Sequence, residues 1–226
     1  MENYISALPQ STALELTSTD CKKRMDATLH RKDTPTPEQV ERGLTDPDSI
    51  VRGAWAERMD WTPTPEQVER GLTDRMMGVR IAWAQRTDYI ATPQQVERGL
   101  TEKDALLRST WVKRMDFTPT PEQIERGLMD ESEWVRQAWV ERVDFTPTPE
   151  QIKRGICDER IGVVLAWLKR TDIEWSDDML QEGLQHCNSD IRAAWEQVVQ
   201  RCNAISADKE IGWTDVFDEV REAWVI

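Results

Sequence analysis

Few side chains in this sequence are of the kinds that perform catalysis. Its 226 residues include two histidines, His30 and His186, far apart in the chain and unable to supply a recurring base or metal ligand. The four cysteines, Cys21, Cys157, Cys187 and Cys202, have no CxxC spacing. His186-Cys187 with Cys202 is a weak metal-ligand pattern, and free thiols of an intracellular, cytoplasmic protein are the simpler reading. The sequence has no phosphate-cradling glycine loop, no HExxH and no GxSxG. Acidic residues number 42, so a close pair of carboxylates is expected by chance. Tryptophan, arginine and aspartate, by contrast, recur at fixed spacing. Together they bury aromatic surface, stack cations on rings and pair charges, which is the chemistry of packing and association. No catalytic, cofactor-binding or metal-binding residue is assigned, and the chain is expected not to be an enzyme.

The recurrence has one period. Gly43, Gly71, Gly99, Gly127, Gly155 and Gly183 are each 28 residues apart, as are Trp55, Trp83, Trp111, Trp139, Trp167 and Trp195. Six units of 28 therefore cover residues 34–201. The composition holds 11 Trp against 2 Tyr and 3 Phe. The repeat explains most of that excess, because seven of the 11, from Trp55 to Trp224, occupy one register position. Residues 1–33 and 202–226 carry degenerate echoes: Lys23-Arg24, Arg31-Lys32-Asp33 and Val220-Arg221-Glu222-Ala223-Trp224. Terminal units of a stacked array face water on one side, so decayed caps are expected there.

Each unit predicts two helices. Thr36-Pro37-Glu38-Gln39 places Thr at the N-cap, Pro at the first helical position and Gln where it closes a capping box. Val40 and Leu44 give this helix a buried edge, and Glu38 and Arg42 have the spacing of an i,i+4 ion pair. Gly43 either ends the helix in a left-handed turn or lets a neighbour approach closely. After a short turn, Val51, Ala54, Trp55 and Arg58 fall at i, i+3, i+4 and i+7, one face of a second helix. A stripe this short is buried by stacking on its neighbours. No alternating pattern suggests a strand. The expected fold is an all-α solenoid of six two-helix repeats.

The string VRxAWxxRxDxTPTPEQxxRGLxD resembles the leucine-rich repeat variant consensus, in which VRxxVAxN leads through TPxE into a short helix. It is also similar to HEAT and armadillo units, where an Asp in the inter-helix turn lies six residues before an Arg. Asp46/Arg52, Asp74/Arg80, Glu102/Arg108 and Asp130/Arg136 keep that spacing. Two features depart from the family: the period is longer than its usual unit, and Trp replaces an aliphatic residue. The cysteine cluster that an associated iron–sulfur domain would need is missing. The resemblance implies a right-handed superhelix used for binding.

Equivalent positions in the repeats separate framework from variation. The Trp ladder lies within the apolar stripe, so it reads as inter-repeat core rather than as an aromatic binding face. The ladder arginines Arg52, Arg80, Arg108 and Arg136 read as stacked ion pairs tying adjacent turns together, and Val164 removes one rung. Arg58, Arg86, Arg114, Arg142 and Arg170 are expected to suit the C-terminal helix dipole and to cover Trp rings. Trp61 shares its position with Tyr89, Phe117 and Phe145 and reads as structural. The inter-helix turn and the start of the second helix vary from unit to unit. Such an edge is either neutral drift or the recognition surface of a solenoid. Met76, Met77, Leu106, Trp134 and Ile161 are apolar where exposure is expected, which favours recognition.

Charge narrows the partner. With 42 acids against 29 bases the net charge is −13, a poor match to phosphate. The acidity is concentrated in the first, fourth and sixth units, at −3, −4 and −4, and in residues 202–226, at −4. An acidic surface steers a basic protein partner. The reading is therefore a protein-binding scaffold, monomeric and without cofactor. The alternative is a nucleic-acid-linked protein, either a DNA mimic or a HEAT-like DNA binder. No apolar run approaches the ~20 residues of a membrane-spanning helix, and no basic-then-apolar leader opens the sequence.

Overall fold

The structure, a computed structural model, describes residues 18–29 and 34–208. His30, the echo at residues 31–33, Trp213 and the echo at residues 220–224 lie outside the described residues. The chain forms two compact units that divide between Thr118 and Pro119, at the junction of the third and fourth repeats. Among the described residues all regular structure is helical.

The first unit contains α1 (Cys21–Leu29), α2 (Pro37–Leu44), α3 (Ser49–Glu57), α4 (Pro65–Leu72), α5 (Met77–Gln85), α6 (Pro93–Leu100) and α7 (Ala105–Val112). The second helices α3, α5 and α7 stack in a row that begins on α1, and α2, α4 and α6 back them one by one. The second unit contains α8 (Pro121–Leu128), α9 (Glu133–Glu141), α10 (Pro149–Ile156), α11 (Ile161–Lys169), α12 (Asp177–Leu184) and α13 (Ser189–Asp208). There α9, α11 and α13 form the row, backed by α8, α10 and α12.

Capping chemistry sets each first helix. Thr36 Oγ1 accepts from the Gln39 N–H, and Gln39 Oε1 accepts from the Thr36 N–H at 3.0 Å. The same box closes at Thr64, Thr92, Thr120 and Thr148. Ser176 keeps half of it, because Met179 has no oxygen to return the bond. The glycine ambiguity resolves as close approach. Gly43 and Gly71 lie inside their helices, and a Cβ on Gly71 would stand 2.1 Å from Trp83 Nε1. All six repeat glycines meet the ladder Trp of their own unit in this way. The Trp rings need that gap. They are the largest buried side chains of the core, with Trp55, Trp83 and Trp167 each 1% exposed. Truncating one to Ala would cost about 3–5 kcal/mol.

The expected Glu38–Arg42 pair does not form among the described residues. The Glu38 carboxyl is held below its ordinary value by its own backbone N–H and the Thr36 hydroxyl. The first helices are tied across repeats instead. Arg70 grips Glu41 at 2.8 Å, Arg98 grips Glu69 at 2.6 Å and Arg154 grips Glu125 at 2.8 Å. The sixth unit also departs from the pattern. Val198 stands where the others have Arg, and α13 continues through residue 201 to Asp208.

Candidate interaction edge

The variable edge is built on a framework of ion pairs between repeats. Arg52 donates from Nε and Nη2 to both Asp74 oxygens, at 2.7 and 2.8 Å, one repeat further on. Its Nη1 donates to the Asp46 carbonyl of its own turn at 2.8 Å. The six-residue Asp/Arg spacing is thus a backbone contact, and the charge pair reaches into the next repeat. Arg24–Asp46 and Arg136–Asp158 repeat this bidentate geometry at 2.7 Å, and Arg80 meets Glu102 at 3.3 Å. Arg24, read as a degenerate echo, is therefore a full rung.

Each rung aspartate also organises its own turn. Asp74 Oδ1 accepts from the Met76 N–H at 2.8 Å, Asp130 from Ser132 at 2.8 Å and Asp158 from Arg160 at 2.9 Å. Burial works to raise the Asp74 and Asp158 carboxyls, but the guanidinium and the N–H donor outweigh it and leave both below their ordinary range. Asp48 and Asp104 supply a side-chain cap, whereas Met76 and Arg160 do not. The turn aspartate binds the backbone N–H of the N-cap residue, a contact that does not depend on that residue's side chain.

The arginines at the ends of the second helices do more than suit a dipole. Arg86, 2% exposed, donates to the carbonyls of Ala56 at 2.7 Å and Trp61 at 3.1 Å in the preceding repeat. It also pairs with Asp88 at 2.6 Å. Its guanidinium lies 4.4 Å from the Trp61 ring and 5.3 Å from Trp83, so Trp61 is half of an aromatic clamp. Arg114 repeats the arrangement on Tyr89 and Trp111, and Arg170 on Phe145 and Trp167. Tyr89 donates its hydroxyl to the Trp83 carbonyl, and burial pushes its phenol up to about 12.

All five edge candidates are exposed, and they divide between the two compact units. In the first unit Met76, Met77 and Leu106 open to solvent, as does Ile50, 60% exposed. Ile50 shares the register position of Leu106 and Trp134, a comparison that alone places it on this edge. A groove of about 330 Å³ runs along this face between Met25, Leu29, Ile50, Ala54, Met76 and Val79. A second groove, of about 540 Å³, is lined by Ala84, Leu106, Thr110, Lys113 and Met115. In the second unit Trp134 is 66% exposed on the first turn of α9, and Ile161 is exposed at the start of α11.

The metal-ligand pattern acquires another role. His186 Nδ1 accepts from the Asn188 N–H at 3.1 Å, standing in for the turn aspartate of other repeats. Among the described residues no group of three or more His, Cys, Asp or Glu side chains is placed to hold a metal ion, and no helix is long and apolar enough to cross a membrane.

No protein-family model and no curated protein matches the sequence. Among solved structures, one described as a leucine-rich repeat variant with a novel repetitive protein structural motif is similar, with a TM-score of 0.56 and 21% identity. The likeness covers 83% of this chain and 80% of that one.

Proposed function

We propose that this helical repeat scaffold, which shares its fold with a leucine-rich repeat variant, is a non-enzymatic binding module for a protein partner. The partner would dock on the exposed edge of the second helices. The observation that carries this reading is a contrast between positions. The apolar framework positions, such as Val51, Trp55 and Gly43, repeat almost unchanged and are buried, whereas Met76, Met77, Leu106, Trp134 and Ile161 vary between repeats and hold apolar side chains in solvent. Exposed apolar surface of this kind has a free-energy cost that docking relieves. Methionine suits such a surface because its unbranched thioether adapts to a partner's shape.

The test is capture of the partner from the native host on full-length protein, with Trp134→Ala and Met76→Ala in parallel. A partner held by the edge is lost or weakened about tenfold in at least one variant, as for an interface hot spot. Capture unchanged in both sets the edge aside. Binding of duplex DNA that weakens as salt rises would instead support the nucleic-acid reading.

A further inference from the structure

Resting on that reading of the edge, we propose that its Trp134 end receives an arginine or lysine from a basic segment of the partner. Trp134, Gln137 and Glu141 lie at i, i+3 and i+7 on α9 and share one face of the helix. Trp134 and Glu141 are exposed, and Gln137 Nε2 donates to Glu141 at 2.8 Å, aligning the carboxylate along that face. Next to Trp134 in the chain, Glu133 meets the exposed Arg160 at 2.9 Å. An aromatic face beside a carboxylate is already how this framework holds a cation. Arg86 lies over Trp61 with Asp88 at 2.6 Å, and Arg170 lies over Phe145 with Asp172 at 2.6 Å. Trp134 and Glu141 present the same two kinds of group to solvent, two turns apart on one helix face.

The charge around it selects the same occupant. Residues 119–201 carry 17 acids against 10 bases, whereas residues 34–118 carry 14 against 12. An approaching basic segment is therefore steered to the second unit, and an acidic one is repelled. At the surface the ring attracts the cation through its quadrupole, and Glu141, two turns along the same face, adds electrostatic attraction.

A random dodecapeptide library selected on immobilised full-length protein tests this. The recovered peptides are expected to be rich in Arg or Lys. The binding of one labelled peptide, followed by anisotropy, is expected to weaken about tenfold in Trp134→Ala and much less in Trp134→Phe, which keeps a π face. Glu141→Gln should weaken it about threefold and flatten its salt dependence. A version of the peptide with citrulline in place of arginine should bind poorly. Circular dichroism of each variant establishes that the helices are intact. Peptides that require Trp134 yet are neutral or acidic would overturn the cationic occupant and leave the docking edge standing. Peptides indifferent to Trp134, or no binding peptides at all, would overturn the occupant and its site together.

Discussion

Gly71 and Trp83 function as a pair, since the ring occupies the space a Cβ would need. The nearest atoms are those of an indole buried on every side, which cannot swing away as a surface side chain would. Gly71→Ala is therefore expected to destabilise by about 1–3 kcal/mol in urea titration, although alanine is the better helix former. A gain in stability would mean that the ring has room to move. Asp74 carries a second expectation. Its folded-state carboxyl is more acidic than in the unfolded chain, because Arg52 and the Met76 N–H favour the charge. Its stabilisation is complete above about pH 4 and disappears as the pH falls through the lower folded-state value. Asp74→Asn should cost about 2 kcal/mol at neutral pH, with the gap to the parent closing as acid is added. A constant gap down to about pH 2 would show that the charge is not what stabilises. The Trp and Gly positions were legible because they recur. The partner of each Arg was not, since a spacing of six and one of 22 recur equally well in an array with a fixed period.

Between elements, successive helices of a row are joined by rungs, and the joint between α11 and α13 lacks one. Val164 stands where Arg52 and Arg136 stand, and His186, 22 residues on, stands where their aspartates do. Charge and countercharge are gone together. Val164 is 1% exposed and packs with Leu168, Leu180, Ile191 and Trp195, so apolar contact replaces the ion pair. Val164→Arg alone should cost on the order of 3 kcal/mol, as a buried charge without its partner. Adding His186→Asp should recover much of that, with a favourable coupling of about 1–3 kcal/mol in a double-mutant cycle. Additive effects would sink the idea that the rung is modular. The missing rung was visible in sequence at Val164, but the role of His186 was not. Its meaning depends on knowing that the partner lies in the next repeat.

At the scale of the whole molecule, the chain divides near a repeat boundary into two compact units, and each buries its own ladder of Trp and Arg. The acidity is uneven between them, which is why the expected basic partner is assigned to the second. Sequence alone determined the period, the helix pairs, the caps and the buried Trp position, because each is a local or periodic property and 28 residues suffice to specify it. It also singled out Trp134, since comparing equivalent positions needs no coordinates. Tertiary structure decided which atoms meet between repeats: Arg52 with Asp74, Arg70 with Glu41, Arg86 with the carbonyls of Ala56 and Trp61. It also decided that Gly43 is a gap for a ring. The physical reason is the same in each case. These contacts join residues from different repeats or elements, so their geometry comes from stacking, and stacking is not written in any single unit.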